Sequence, residues 1–419
     1  MSDWMKIVSD FQSELMRWEK DLFAMPELGF KEQRTKAYLL NLFSESDVEI
    51  EDFGLSGFSV SIGQGKPHIG LIAEMDALVV TNHFMASPSD GAAHACGHHL
   101  QSAIMAAVMK LLYTQKTVTQ GKVTCYFIAA EEYVDLDARK QLRDQGKITL
   151  LSGKQNLIIE DRFHDVDVLI SCHTMGATDR PKMEINSMLS GFVYKKYTFI
   201  GKSSHAAVAP HLGVNALSAM ALAQNAIGLL RETFREEDLI RVHLMSTLGG
   251  QSVNAVPSKT VLEGYVRSID TNILTQISEK IDHTVTHSAQ ALFAQVEIES
   301  TPGYFPLKQS EELSDVLRPL MVDCVGENIV NHQKSFAAGD IGDCSLFVPT
   351  VQFGFSGCKG VVHGADFCMD NPTEALIYPA VVTLGAVENL LSDPKVLNNI
   401  KEHFKPLMTI EQYRAFHGV

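Results

Sequence analysis

Apolar and polar residues alternate in two distinct rhythms along this chain, and the change from one to the other divides it. Residues from about 4 to 24 read as an amphipathic helix. The turn Pro26-Glu27-Leu28-Gly29-Phe30 follows, then a second helix from about 31 to 45. Ile69-Gly70-Leu71-Ile72-Ala73-Glu74 is a continuous apolar run, as expected of a strand covered on both faces. Asp76 stands just beyond its carboxyl end. A Ser/Pro/Gly loop from Ala86 to Ala93 leads to Cys96, and a helix is predicted over 100–114. Val123-Thr124-Cys125-Tyr126-Phe127-Ile128 is another buried strand and leads to Glu131-Glu132. The strand Val166-Asp167-Val168-Leu169-Ile170-Ser171 leads to His173. Three strands thus deliver polar residues at their carboxyl ends, where open α/β sheets bind their ligands.

The rhythm changes near residue 190. Phe192 to Ile200 alternates as a half-buried strand, a helix is predicted at 214–234, and strands follow at 240–247 and 257–269. A helix at 271–291 and a strand at 294–300 complete a β-α-β-β-α-β order, that of the ferredoxin-like split motif. With 419 residues the chain exceeds one ordinary core. The expected fold class is therefore α/β, a catalytic domain with a mostly parallel sheet flanked by helices, plus an inserted ferredoxin-like α+β domain. The expected boundaries are 1–189 and 304–419 for the first and 190–303 for the second, with a last long helix at 374–391.

Composition narrows the partners. Hydrophobic residues at 45% and charged residues at 20% are those of a soluble globular protein. A net charge of −15 argues against nucleic acid or an anionic membrane as partner. An anionic substrate would need a local cationic pocket. The start, Met1-Ser2-Asp3-Trp4, shows no basic region followed by an apolar run, so no signal peptide is expected. The run Ala103 to Met109 is too short to span a bilayer. The 7 cysteines are odd in number and lack framework spacing, which fits a reducing cytoplasm.

Chemistry concentrates in His94-Ala95-Cys96-Gly97-His98-His99, in Ala129-Ala130-Glu131-Glu132, and in later isolated histidines. Cys, His and Glu are ligands for a divalent metal of borderline softness. A second Glu beside a ligand Glu supplies a base for an attacking water. Cys96 is the cysteine that stands out; Cys125, Cys172, Cys324, Cys344, Cys358 and Cys368 read as core packing. His83, His164, His211, His243 and His332 read as surface or core residues, and the Met-rich helix at 100–114 reads as packing.

The ordered set of segments resembles the aminoacylase/glutamate-carboxypeptidase family of metallopeptidases, in its amidohydrolase branch. The segments that carry the resemblance are Ala73 to Leu78, His94 to His98, Glu131-Glu132, Cys172-His173, Gly201 to Ala207 and His211 to Ala216. They continue with Gly249-Gly250, Asn254 to Pro257, Gly264 to Arg267, Ala338 to Asp343, and His363. The resemblance implies Cys96, His98, Glu132, His173 and His363 as metal ligands, with the Cys96 thiolate between two metal positions. It implies Mn²⁺ or Zn²⁺, one or two per subunit. Glu131 would be the general base and Asp76 a residue that orients a ligand. His205, with Asn254 and Arg267, resembles the lid groups that grip a substrate carboxylate or stabilise the oxyanion. His205 often reaches the partner subunit's site in this family, which implies a homodimer through the inserted lid domain. Two departures stand out. His99 replaces the usual acidic or amide residue after Cys-Gly-His, where it is expected either to line the substrate pocket or to serve a structural role, and Ile128-Ala129 replaces the usual Gln/Pro before Ala-Glu-Glu; the 79–93 loop is also long and carries His83.

The leading expectation is a cytoplasmic, metal-dependent hydrolase of a non-peptide C–N bond in a small carboxylate-bearing substrate. Amide hydrolysis of an N-acyl or N-aroyl amino acid is its base form. An aryl aminohydrolase, releasing ammonia from an activated aminobenzoate such as 5-nitroanthranilate, is the alternative motivated by His99 and the loop. A metal-free binding module is the third reading, opposed by the intact ligand set.

Overall fold

The computed structural model describes residues 2–419; Met1 lies outside them. The architecture is mixed α/β, with a large, mostly parallel sheet flanked by helices. Contacts divide the described residues into two compact units, one of residues 2–188, 308–334 and 343–419, the other of 189–307 and 335–342.

In the first unit, eight described strands form one sheet. Its centre is four parallel neighbours: Gly121–Ile128, His68–Glu74, Val168–Thr174 and Thr350–Phe355. Gly57–Gln64 and Glu49–Asp52 extend it antiparallel at one side. Met183–Ile185 and Ile329–Asn331 close the other side, the first antiparallel to Thr350–Phe355 and the two parallel to each other. The central strands are apolar and buried on both faces because helices cover them. The His98–Thr114 helix is buried almost throughout its length. So is the stretch Thr373–Ser392, the one described helix long and apolar enough to cross a membrane; 78% of that window is buried within the fold.

The single amphipathic helix expected over 4–24 is two, Ser2–Asp10 and Gln12–Phe23. At Phe11 the amide is shared between the carbonyls of Ile7 and Val8, both at 3.1 Å, while the ring packs edge-on against Trp18. The apolar stripe runs through this break, so periodicity alone does not register it. The expected 31–45 helix is shorter, Gln33–Leu42.

The second unit holds a four-stranded antiparallel sheet in the order Arg241–Leu248, Lys259–Ser268, Gly191–Ile200, Gln295–Pro302. With helices Ala216–Leu230 and Thr271–Ala291 the chain order is β-α-β-β-α-β. Its own core joins Tyr197, Phe199, Leu262 and Val266 to Ala219, Ala223, Ile277 and Ile281. Residues 335–342 belong with this unit rather than with the segment after 304. The reason is local: Arg267 Nη1 and Ser190 Oγ donate to the Phe336 carbonyl at 2.7 and 2.9 Å, and the Arg241 guanidinium lies 4.2 Å from the Phe336 ring centre.

Candidate metal centre

Strand ends and tight turns bring five of the expected residues together in the first unit. Gly97, with φ +93°, turns the chain from Cys96 into the His98–Thr114 helix. A side chain there would meet Thr174 Cγ2 at 2.6 Å, so glycine is required by both backbone and space. Beyond the Gly121–Ile128 strand, Ala130 has φ +59°. Its amide donates to Glu32 Oε1 at 2.8 Å. The buried Arg139 donates to the carbonyls of Ala130, Leu151 and Glu132, and so clamps the turn that presents Glu131 and Glu132. His363, also with positive φ, is tied by its amide to the Ala95 carbonyl at 2.7 Å.

Two donor triads result. Cys96 Sγ, a nitrogen of His98 and a nitrogen of His173 lie within 4.8 Å of one another; so do Cys96, Glu132 and His363. Cys96 belongs to both. Cys96 Sγ lies 3.5 Å from His173 Nε2, and Glu132 Oε1 lies 3.1 Å from His363 Nε2. Glu131 Oε2 stands 3.8 Å from His98 Nε2.

The tautomers suit metal binding. His98 Nδ1 faces two acceptors, the Asp76 carbonyl at 2.9 Å and Asp76 Oδ1 at 3.0 Å, so it carries the proton. His173 Nδ1 donates to the Thr174 carbonyl at 2.8 Å. Each therefore turns its Nε2 inward. Asp76 also accepts from the Glu132 amide through Oδ2 at 2.9 Å, and so orients two expected ligands at once. His98 Nε2 and Glu132 Oε1 are buried and make no hydrogen bond among the described residues. Buried polar atoms without hydrogen bonds need another partner, and a thiolate, imidazoles and a carboxylate are the donors a Zn²⁺ or Mn²⁺ ion takes. The residues fit a divalent metal.

Charge in the site follows burial and neighbours. Burial, then the Glu132 and Glu131 carboxylates, pushes the Cys96 thiol far up; the His98 contact opposes them. Burial alone would lower His98, but Cys96, Glu74 and Asp76 outweigh it and raise it. For Glu132, burial is outweighed by the His363 imidazole beside it, and the carboxyl is held below its usual range.

Other expected residues lie elsewhere. His99 is buried with its Nε2 3.4 Å from Glu19 Oε1, and its ring 4.8 Å from Phe23 and 5.1 Å from His94. Burial, then the neighbouring His98 and His83, lowers its pKa to about 3. Burial raises Glu19 to about 7. His83, expected as an ordinary surface or core residue, is buried, with Nε2 donating to the Phe367 carbonyl at 2.8 Å and its ring stacked 4.6 Å from the exposed Phe84. In the second unit, His205 and Asn254 come from adjoining segments: His205 pairs with Ala255, and the Ala206 amide donates to the Asn254 carbonyl at 3.0 Å. Arg267 lies between the Phe192 and Tyr265 rings, 5.5 and 5.3 Å away, and donates to the Phe336 carbonyl.

Glu74 and Lys154 were not among the expected site residues. Both are buried, Lys154 Nζ lies 2.6 Å from Glu74 Oε1, and Glu74 Oε2 lies 3.3 Å from His98 Nε2. The available signal was position, since Glu74 ends an apolar strand two residues before Asp76.

Residues 70–387 match Peptidase family M20/M25/M40. The chain is 27% identical over 325 residues to an N-acetyl-L-cysteine deacetylase of Bacillus subtilis (strain 168), covering 74% of this chain and 73% of that protein. It is 25% identical over 318 residues to an N-acyl-L-amino acid amidohydrolase of Geobacillus stearothermophilus, covering 73% and 81%. Among solved structures it shares the fold of the Bacillus subtilis YXEP protein, a dinuclear metal binding peptidase from the M20 family. There the TM-score is 0.68 at 18% identity, over 94% of this chain and 99% of that one. An aminobenzoyl-glutamate utilization protein from Klebsiella pneumoniae gives a TM-score of 0.62 at 17% identity, over 92% and 97%.

Proposed function

This chain belongs to peptidase family M20/M25/M40, and from that premise we propose a metal-dependent amidohydrolase that cleaves the amide of an N-acyl or N-aroyl amino acid. The observation that carries the reading is the pair of donor triads sharing Cys96, with Glu131 beside them. Cys96, His98 and His173 would hold one divalent ion and Cys96, Glu132 and His363 a second, Mn²⁺ or Zn²⁺. When bound, such an ion polarises the scissile carbonyl and makes water acidic enough to give up a proton near neutral pH. Glu131 is the general base: its carboxylate takes the proton from the attacking water and returns it to the leaving nitrogen, so that the amide C–N bond breaks and the amine departs neutral. Asp76 holds the His98 ring and the Glu132 amide, which keeps both side chains in place for each turnover. The second unit is read as lid and dimerisation domain, with His205, Asn254 and Arg267 as the groups for the substrate carboxylate and the oxyanion. Seven cysteines, all free thiols, favour a reducing cytoplasm.

One observation favours a second reading. Phe23, His83, Phe84 and His99 form a continuous set of ring contacts, 4.6–6.0 Å between centroids, beside the turn that carries Cys96 and His98. Such a wall suits a planar aromatic substrate. The same base and water could then attack a ring carbon bearing an amino group, activated by a nitro group as in a nitroanthranilate, and release ammonia.

Product analysis separates the two. Protein reconstituted with Mn²⁺ is assayed against N-acyl amino acids and substituted aminobenzoates, with Glu131→Gln as control. Release of free amino acid, lost in the variant, supports amide hydrolysis. Ammonia from an aminobenzoate without an amide replaces it with the aryl reading, and neither product from any substrate overturns both.

A further inference from the structure

The Thr271–Ala291 helix buries one face in the core of the second unit and leaves the other in solvent. Leu274, Ile277, Ile281, Val285 and Ala289 are buried, at the spacing of three and four that fixes which side turns inward. His283 and His287 stand off that face, and both are exposed. They are four positions apart, so successive turns place one above the other. Their rings overlap, with centroids 3.9 Å apart and planes inclined by 31°.

The backbone fixes which nitrogen of His287 faces outward. Its Nδ1 lies 2.8 Å from the His283 carbonyl, which can only accept, so Nδ1 carries the hydrogen. The lone pair of the neutral ring is then on Nε2. A backbone carbonyl at one ring nitrogen is the usual support of a metal-binding histidine at the other. Two histidines at this spacing on one helix face are also a chelating arrangement for a borderline divalent ion. With metal–nitrogen bonds of about 2.0–2.1 Å, two ligand nitrogens on one tetrahedral ion stand about 3.3 Å apart. The overlapping rings need only a rotation of the exposed His283 side chain to converge on such an ion. Glu279 and Lys280, one turn earlier, are exposed and opposite in charge. Asp282 is engaged by Lys195 and Tyr197. Recognition therefore rests on the imidazoles, which suit Zn²⁺, Ni²⁺ or Cu²⁺ far better than Mg²⁺, Ca²⁺ or Mn²⁺.

We propose that His283 and His287 form a second metal site, a two-imidazole clamp for Zn²⁺, Ni²⁺ or Cu²⁺ that ties successive turns of this helix together. It shares no residue with the centre in the first unit and does not depend on the function proposed for that centre. Two protein ligands leave the remaining positions of the ion to water.

The test uses Ni²⁺ as the probe, added to the full-length chain already equilibrated with Mn²⁺, by calorimetry and by metal analysis after dialysis. Wild type is compared with His283→Gln, His287→Gln and Cys96→Ser, with circular dichroism to verify folding. Wild type is expected to hold one Ni²⁺ that each histidine variant binds about 10²-fold more weakly, the low end of what linking two ligands adds. Cys96→Ser is expected to keep that ion, whether or not the first unit's centre binds metal. Wild-type Ni²⁺ affinity in both folded histidine variants overturns the proposal. A loss confined to one of them reveals a single imidazole rather than a chelate and overturns it too. So does a wild type whose every Ni²⁺ is lost in Cys96→Ser, which would assign those ions to the first unit's centre.

Discussion

Glu131 and Glu132 are neighbours in sequence with different partners: Glu132 Oε1 meets His363, whereas Glu131 Oε2 stands off His98 by 3.8 Å. A ligand and a base lose different things when made neutral. Glu131→Gln is expected to keep its metal and lose about 10²–10⁴-fold in kcat, the usual contribution of a positioned base. Glu132→Gln is expected to lose metal first, read by metal analysis after dialysis. Equal metal loss in both variants would contradict this division of roles. The five expected ligands stand in local patterns, Cys-x-His, Glu-Glu and strand-end histidines, and the fold brings those side chains together. The Glu74–Lys154 pair left no such pattern, because its two members are 80 positions apart. For His99 the sequence showed the substitution but not its surroundings, which are Glu19, Phe23 and His94.

At the scale of elements, the metal centre depends on how the His98–Thr114 helix begins. Gly97 carries φ +93° and leaves no room for a Cβ against Thr174. Gly97→Ala is expected to cost about 1–3 kcal/mol in stability, the range for strained backbone at such sites. It should also weaken metal binding, since Cys96 and His98 flank the turn. A lowered denaturation midpoint together with weakened Mn²⁺ binding is the expected result; unchanged binding in a folded variant would separate the turn from the centre. The strands and the long helices were legible from periodicity. Breaks set by single hydrogen bonds were not, as at Phe11, where a shared amide divides one apolar stripe between two helices.

At the scale of the whole chain, the rhythm changes near 190, and contacts group 189–307 with residues 335–342, a return for which the sequence carried no signal. That return depends on Phe336 meeting Arg241 and Arg267, contacts between distant segments that no local pattern encodes. The C-terminal helix Ile410–His417 makes stability depend on pH. Burial lowers the His417 imidazole from 6.5 to about 4, beside Tyr413 and 3.9 Å from Asp343. A depressed folded pKa means its contribution is present above 6.5 and is lost as pH falls from 6.5 through 4. The loss is at most about 3 kcal/mol. His417→Phe should therefore flatten the fall of the urea midpoint between pH 6.5 and 4; parallel curves for variant and wild type would refute it. The central claim is that hydrolysis runs through a metal held by Cys96, His98, Glu132, His173 and His363. The most direct measurement is hydrolysis of an N-acyl amino acid panel before chelation, after it, and after adding back Mn²⁺ or Zn²⁺. The account predicts activity abolished by stripping and restored as one to two ions bind per chain. Undiminished hydrolysis by the metal-free protein would contradict it.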